Sequence, residues 1–92
     1  MAASERAIRL SSQFKRDLKK RYLLLASPEW AEVLHLLVRG KALPAKYRDH
    51  QLTGSLNHYR ECHLKPDLLL MYTQHDKELH LARLGSHAEI FK

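Results

Sequence analysis

Ninety-two residues with one cysteine and a formal charge of +6 leave room for a single domain over residues 1–92 and exclude an internal disulfide framework. A hydrophobic content of 45% with only 3 Gly and 3 Pro argues against a disordered chain. With no apolar run near the roughly 18 residues of a membrane span, no signal-peptide core and one thiol, the expectation is a cytoplasmic protein.

The predicted elements follow in order. Ala7-Ile8-Arg9-Leu10 is a short strand, and Ser11 or Ser12 offers the N-cap of a helix. Phe14, Leu18, Tyr22 and Leu25 recur at helical spacing along it, flanked by Lys15, Arg16, Lys19, Lys20 and Arg21. Ser27-Pro28-Glu29 starts a second helix, whose stripe is Trp30, Val33, Leu34, Leu37 and Val38 and whose stop is Gly40. So short a connection predicts an antiparallel helix hairpin. A linker carrying Tyr47 and His50 leads to a turn at Gly54-Ser55. Tyr59–Leu64, Leu68–Thr73 and Leu79–Leu84 read as strands, with turns at Pro66-Asp67 and Gln74–Lys77. His87–Lys92 is a tail or helical turn. The sum is an α+β domain of order β-α-α-β-β-β: a small antiparallel sheet covered by a helix pair.

Six of the seven histidines lie in the second half of the chain. Imidazole gives and takes protons near neutral pH. On a basic chain this points to acid–base work on a polyanion, and RNA carries its own nucleophile in the 2′-hydroxyl. If the last three strands form a meander, the Asp67 turn and the His87 segment share one rim. The charge, Lys+Arg 16 against Asp+Glu 10, fits nucleic acid or an acidic protein partner, and equally a solvated lysine-rich surface.

Three motifs stand in series: Asp49-His50-Gln51-Leu52-Thr53-Gly54, Tyr59-Arg60-Glu61-Cys62-His63-Leu64-Lys65-Pro66-Asp67, and Gly85-Ser86-His87-Ala88-Glu89-Ile90-Phe91. Together they resemble the YafQ branch of the RelE/ParE toxins, the toxin halves of type II toxin–antitoxin pairs. The resemblance implies a ribosome-dependent mRNA interferase needing no cofactor. Its implied partners are the 70S ribosome and mRNA, and a DinJ-like antitoxin with a ribbon-helix-helix N-terminus through which operator DNA is reached. It assigns His50, His63, Asp67, His87 and Phe91 to the active site. Leu68 stands where the branch often has tryptophan.

Cleavage by the 2′-hydroxyl needs a base at that oxygen, an acid at the 5′-leaving oxygen and positive charge at the phosphorane, each proton-transfer group contributing about 10²–10⁴-fold. His87 is the expected acid, His63 or His50 the base, and Asp67 the carboxylate that orients an imidazole. Arg83 leads for charge stabilisation, Arg60 follows, and Phe91 suits stacking on a base. Lys15, Lys19 and Lys20 form a solvated face, a grip on ribosomal RNA or an antitoxin seat. The competing readings are a gyrase-inhibiting ParE-like toxin, a metalloprotein using His50, His63, Asp67 and His87, and a plain nucleic-acid-binding module. His35 reads as a packing or edge residue, and His58, His75 and His80 as surface.

Overall fold

A computed structural model describes residues 5–91; Met1–Ser4 and Lys92 lie outside the described residues, so the predicted C-terminal turn is seen only to Phe91. The elements are β1 (Ala7–Leu10), α1 (Ser12–Lys19), α2 (Pro28–Val38), β2 (His50–Gln51), β3 (Arg60–Lys65), β4 (Leu68–Gln74), β5 (Glu78–Gly85) and α3 (His87–Phe91). Short 3-10 turns cover Tyr22–Ala26, Ala45–Tyr47 and Gly54–Leu56.

Five strands form one sheet in the order β1-β5-β4-β3-β2. The meander β2–β5 is antiparallel, as alternation and short turns require, whereas β1 joins β5 in parallel. That parallel pairing makes the sheet mixed and leaves α1 to begin beside the end of β1. Ser11 fastens the junction. Its hydroxyl accepts from the Phe14 N–H at 2.9 Å as the N-cap and donates to the Ala82 carbonyl at 2.7 Å. Ser27 caps α2 in the same way, and Gly40 at φ +69° ends it, with the Lys41 N–H bonded to the Leu36 carbonyl.

The expected apolar stripe of the first helix is only half present. Phe14 is buried and stacks on Trp30, linking α1 to α2. Helix α1 unwinds after Lys19 into a 3-10 turn, whose three-residue period directs Leu24 inward and leaves Tyr22, Leu23 and Leu25 exposed. Tyr22 and Leu25 are therefore not core residues.

The core lies between the helices and one sheet face, and includes Phe14, Trp30, Val33, Leu37, Tyr47, Cys62, Leu64, Leu68, Leu70, Tyr72, Leu79, Leu81 and Leu84. Leu81 and Leu84 both reach it although they stand three apart. Met71 is opposite Arg83 and Tyr72 opposite Leu81, so Ala82 is an extra residue, a β-bulge. Without the bulge, strict alternation from Leu79 and Leu81 would turn Arg83 into the core. With it, Arg83 stands on the opposite face.

Candidate active site

Strand register builds that opposite face. His50 pairs with Glu61, Glu61 with Met71, and Met71 with Arg83, giving one row across β2, β3, β4 and β5. The next row on the same face is His63, Leu69 and Gly85, because residues two apart on a strand point the same way. Leu69 and Met71 are buried, so the centre of the face has an apolar floor. From β3 to β5 the floor is about 9–10 Å wide, two strand spacings. His50 and His63 bound one side, and Arg83 and the start of α3 the other.

The two imidazoles lie with ring centroids 6.3 Å apart around the buried carboxylate of Glu61. Glu61 Oε1 is 3.3 Å from His50 Nε2 and 3.8 Å from His63 Nε2. Arg48, in the left-handed region at φ 49°, holds both rings from the far side. Its carbonyl accepts from His50 Nδ1 at 2.8 Å, and its guanidinium donates to His63 Nδ1 at 3.1 Å. An open cavity of about 370 Å³ beside His63 is lined by Lys46, Tyr47, Arg48 and Lys65.

Burial first, then the Arg48 guanidinium, holds His63 below its ordinary value of 6.5, against the pull of Glu61. The folded state therefore favours the neutral ring. This stabilisation is fully present above the unfolded value of 6.5 and is lost as pH falls through the lower folded value. The expected result is that denaturant midpoints of the wild type drop more between about pH 7.5 and about pH 5 than those of His63→Gln. Equal drops in the two proteins would contradict it.

On the other side, the Asp67 carboxylate accepts the backbone N–H of His87 at 3.3 Å. Asp67 thus ties the β3–β4 turn to the first residue of α3, and its hydrogen bond goes to backbone where an imidazole was expected. The His87 and Phe91 rings, four residues apart on this short helix, lie tilted against each other with centroids 4.8 Å apart. Glu89 anchors it through Arg21 at 2.6 Å and the Ser86 N–H at 2.7 Å.

Arg83 is held by Asp17 of α1. The Asp17 carboxylate accepts from Arg83 Nε and from the Leu84 N–H, both at 2.9 Å, and from Gln13 at 3.0 Å. Burial alone raises the Asp17 value, but these hydrogen bonds outweigh it and hold the carboxyl below its ordinary range. Arg60 does not join this group. Its place on β3 next to Glu61 turns it to the other face, where it pairs with Asp49 at 3.1 Å. Asp49 also accepts the Tyr72 hydroxyl, so Arg60 is bound into a carboxylate cluster on the face away from His50 and His63. Leu68 joins the core cluster. Lys15, Lys19 and Lys20 are exposed on and just beyond α1; His35, His58 and His75 are exposed, and His80 pairs with Glu78.

Sequence reasoning passed over Glu61, Asp17 and Arg48. The Glu61-Cys62-His63 spacing, which places acid and imidazole on one strand face, carried the signal for Glu61. Asp17 stands among the lysines and arginines of α1, with nothing in its local sequence to mark it. Nothing local marks Arg48.

Residues 6–92 match the family described as bacterial toxin of type II toxin-antitoxin system, YafQ. The chain belongs to the YafQ family of toxins. Among similar proteins, the mRNA interferase toxin YafQ of Escherichia coli K12 is 38% identical over 90 residues, covering 95% of this chain and 97% of that one. The toxin in the crystal structure of the E. coli DinJ-YafQ toxin-antitoxin complex superposes with a TM-score of 0.80 at 36% identity, over 96% of this YafQ-family chain and 99% of that one. A copper-bound mutant toxin from Helicobacter pylori gives a TM-score of 0.82 at 39% identity, over 95% and 99%. Among the described residues here, no three His, Cys, Asp or Glu side chains are grouped to hold a metal ion, and no helix is long and apolar enough to cross a membrane.

Proposed function

We propose that this YafQ-family toxin is an mRNA interferase, an endoribonuclease that cuts translated mRNA on the ribosome by acid–base catalysis and is neutralised by a DinJ-like antitoxin. The observation that carries the reading is the single sheet face on which His50, Glu61, His63 and Arg83 stand together, bordered by the α3 helix that Asp67 ties down at His87.

His63 or His50 takes the proton of the 2′-hydroxyl, whose oxygen attacks the phosphorus. The bond to the 5′-oxygen breaks, and His87 supplies the proton that this oxygen needs. The products are a 2′,3′-cyclic phosphate and a 5′-hydroxyl, and no metal enters the proton balance. Arg83 faces the phosphorane with the N–H groups that Asp17 does not occupy. Asp67 is a positioning residue, acting through the backbone of His87. Phe91, beside His87, stacks on a neighbouring base. Lys15, Lys19 and Lys20 contact phosphates of ribosomal RNA, giving salt-sensitive, sequence-independent affinity. The antitoxin's ribbon-helix-helix end would carry the complex to operator DNA.

Induction in growing cells followed by mapping of transcript 5′ ends tests the reading. The expected result is growth arrest with in-frame cuts bearing 5′-hydroxyls, and the same cuts from protein stripped of transition metals when it is added to programmed ribosomes. Intact transcripts with trapped gyrase would replace it with the ParE-like reading. Products with 5′-phosphates would refute the chemistry.

A further inference from the structure

We propose that Glu61 is the positioning residue of the base histidines: one buried carboxylate oxygen, shared by the His50 and His63 rings, orients both and tunes how strongly they take the substrate's proton. This rests on the ribonuclease reading above, and goes beyond it by giving the orienting task to a residue other than Asp67.

Glu61 is only 5% exposed, and a buried carboxylate costs several kcal/mol unless charge and hydrogen bonds compensate it. Among the described residues, Oε2 has no hydrogen-bond partner, and the groups facing Oε1 are His50 Nε2 and His63 Nε2. The compensation must come from the imidazoles. Both rings are held at their other nitrogen by Arg48, so each turns Nε2 toward the carboxylate: His63, whose Nδ1 accepts from the guanidinium, as an N–H donor, and His50, whose Nδ1–H goes to the Arg48 carbonyl, as a donor only in its protonated form.

For His63 this arrangement selects the tautomer with hydrogen on Nε2 and the lone pair on Nδ1. The group covering that lone pair is the exposed Arg48 side chain, which an incoming phosphate attracts. Once His63 takes the 2′-hydroxyl proton at Nδ1, the imidazolium lies beside Glu61, as the imidazolium of a Ser-His-Asp triad lies beside its acid. Other charges facing the ring are His50 on β2, and Lys46, Lys65 and Glu29 around the adjoining cavity; Arg83, at the far end of the row, is committed to Asp17.

The test replaces Glu61→Gln in the full chain and follows the His63 ring by NMR from pH 4 to 9, with ribosome-programmed cleavage measured in parallel. The His63 titration midpoint should fall, and the acidic limb of kcat/KM should move to lower pH with it. The rate should drop between about tenfold and the roughly 10⁴-fold that an amide for the acid costs a serine-protease triad. Glu61→Asp should restore part of both. His50→Gln, changed at an exposed ring, is the second variant should Glu61→Gln not fold. It leaves Oε1 to His63 alone and removes a like charge, so the His63 midpoint should rise. A midpoint unmoved in the folded variants overturns the inference. Because the titration needs no RNA, wild type that fails to cleave refutes the ribonuclease reading separately.

Discussion

Replacing His87 by alanine should lower RNA cleavage about 10²–10⁴-fold, the usual worth of a general acid, and should abolish growth arrest on induction. The melting temperature should stay within a few degrees of wild type. The His87 side chain is exposed, and the contact that holds its position, the backbone N–H to Asp67, survives the change. His35→Gln on the exposed face of α2 serves as the control and should cut normally. The assignment fails if His87→Ala cleaves at more than about a tenth of the wild-type rate, since no proton-transfer role is worth so little. A supporting result would also separate this chain from a nucleic-acid-binding module, whose function an exposed imidazole on a terminal helix would not control.

Asp17→Ala should be strongly destabilising. It strands the Arg83 guanidinium and the Leu84 N–H together, at the edge of β5 beyond the reach of β1. Breaking a fully buried pair costs about 3–5 kcal/mol; Arg83 keeps some access to water, so about 2–4 kcal/mol is expected here. For a domain of this size that lowers the melting temperature by roughly 10–25 °C. Cleavage measured below the new midpoint should fall as well, because Arg83 loses the acid that aims it across the sheet face. A loss below about 3 °C in thermal unfolding would show that Asp17 is not the clamp described here.

These two residues illustrate what could and could not be read in advance. His87 was legible because a Gly-Ser break, an imidazole and an aromatic four residues on form a local pattern. Asp17 was not, because its partner stands 66 residues away, and in its own helix it is one acid among lysines and arginines. The same holds for Arg60 and Arg83. Arg83 stood first and Arg60 second as strand cations for charge stabilisation, but only the register separates their faces: alternation from Glu61 sends Arg60 to the core face, and the Ala82 bulge sends Arg83 to the opposite one. A bulge is a matter of register between strands, although Leu81 and Leu84 at a three-residue interval in a strand left a trace of it. Tyr22 and Leu25 misled for a related reason. Helical spacing was present, but the helix ended at Lys19 and the period changed from 3.6 to 3.

The amino-acid order alone determined the helix caps, the meander of the last strands, the α+β class and the motif series that marks a YafQ-family toxin, because each depends on neighbours a few positions apart. Tertiary structure decided what each carboxylate faces: Glu61 the rings of His50 and His63, Asp17 the Arg83 guanidinium, Asp49 the Arg60 guanidinium and Asp67 the backbone of α3. It also added β1 in parallel and turned Leu68 into the core. Such pairings follow from sheet register and burial, where the cost of an uncompensated charge selects its partner across distant segments.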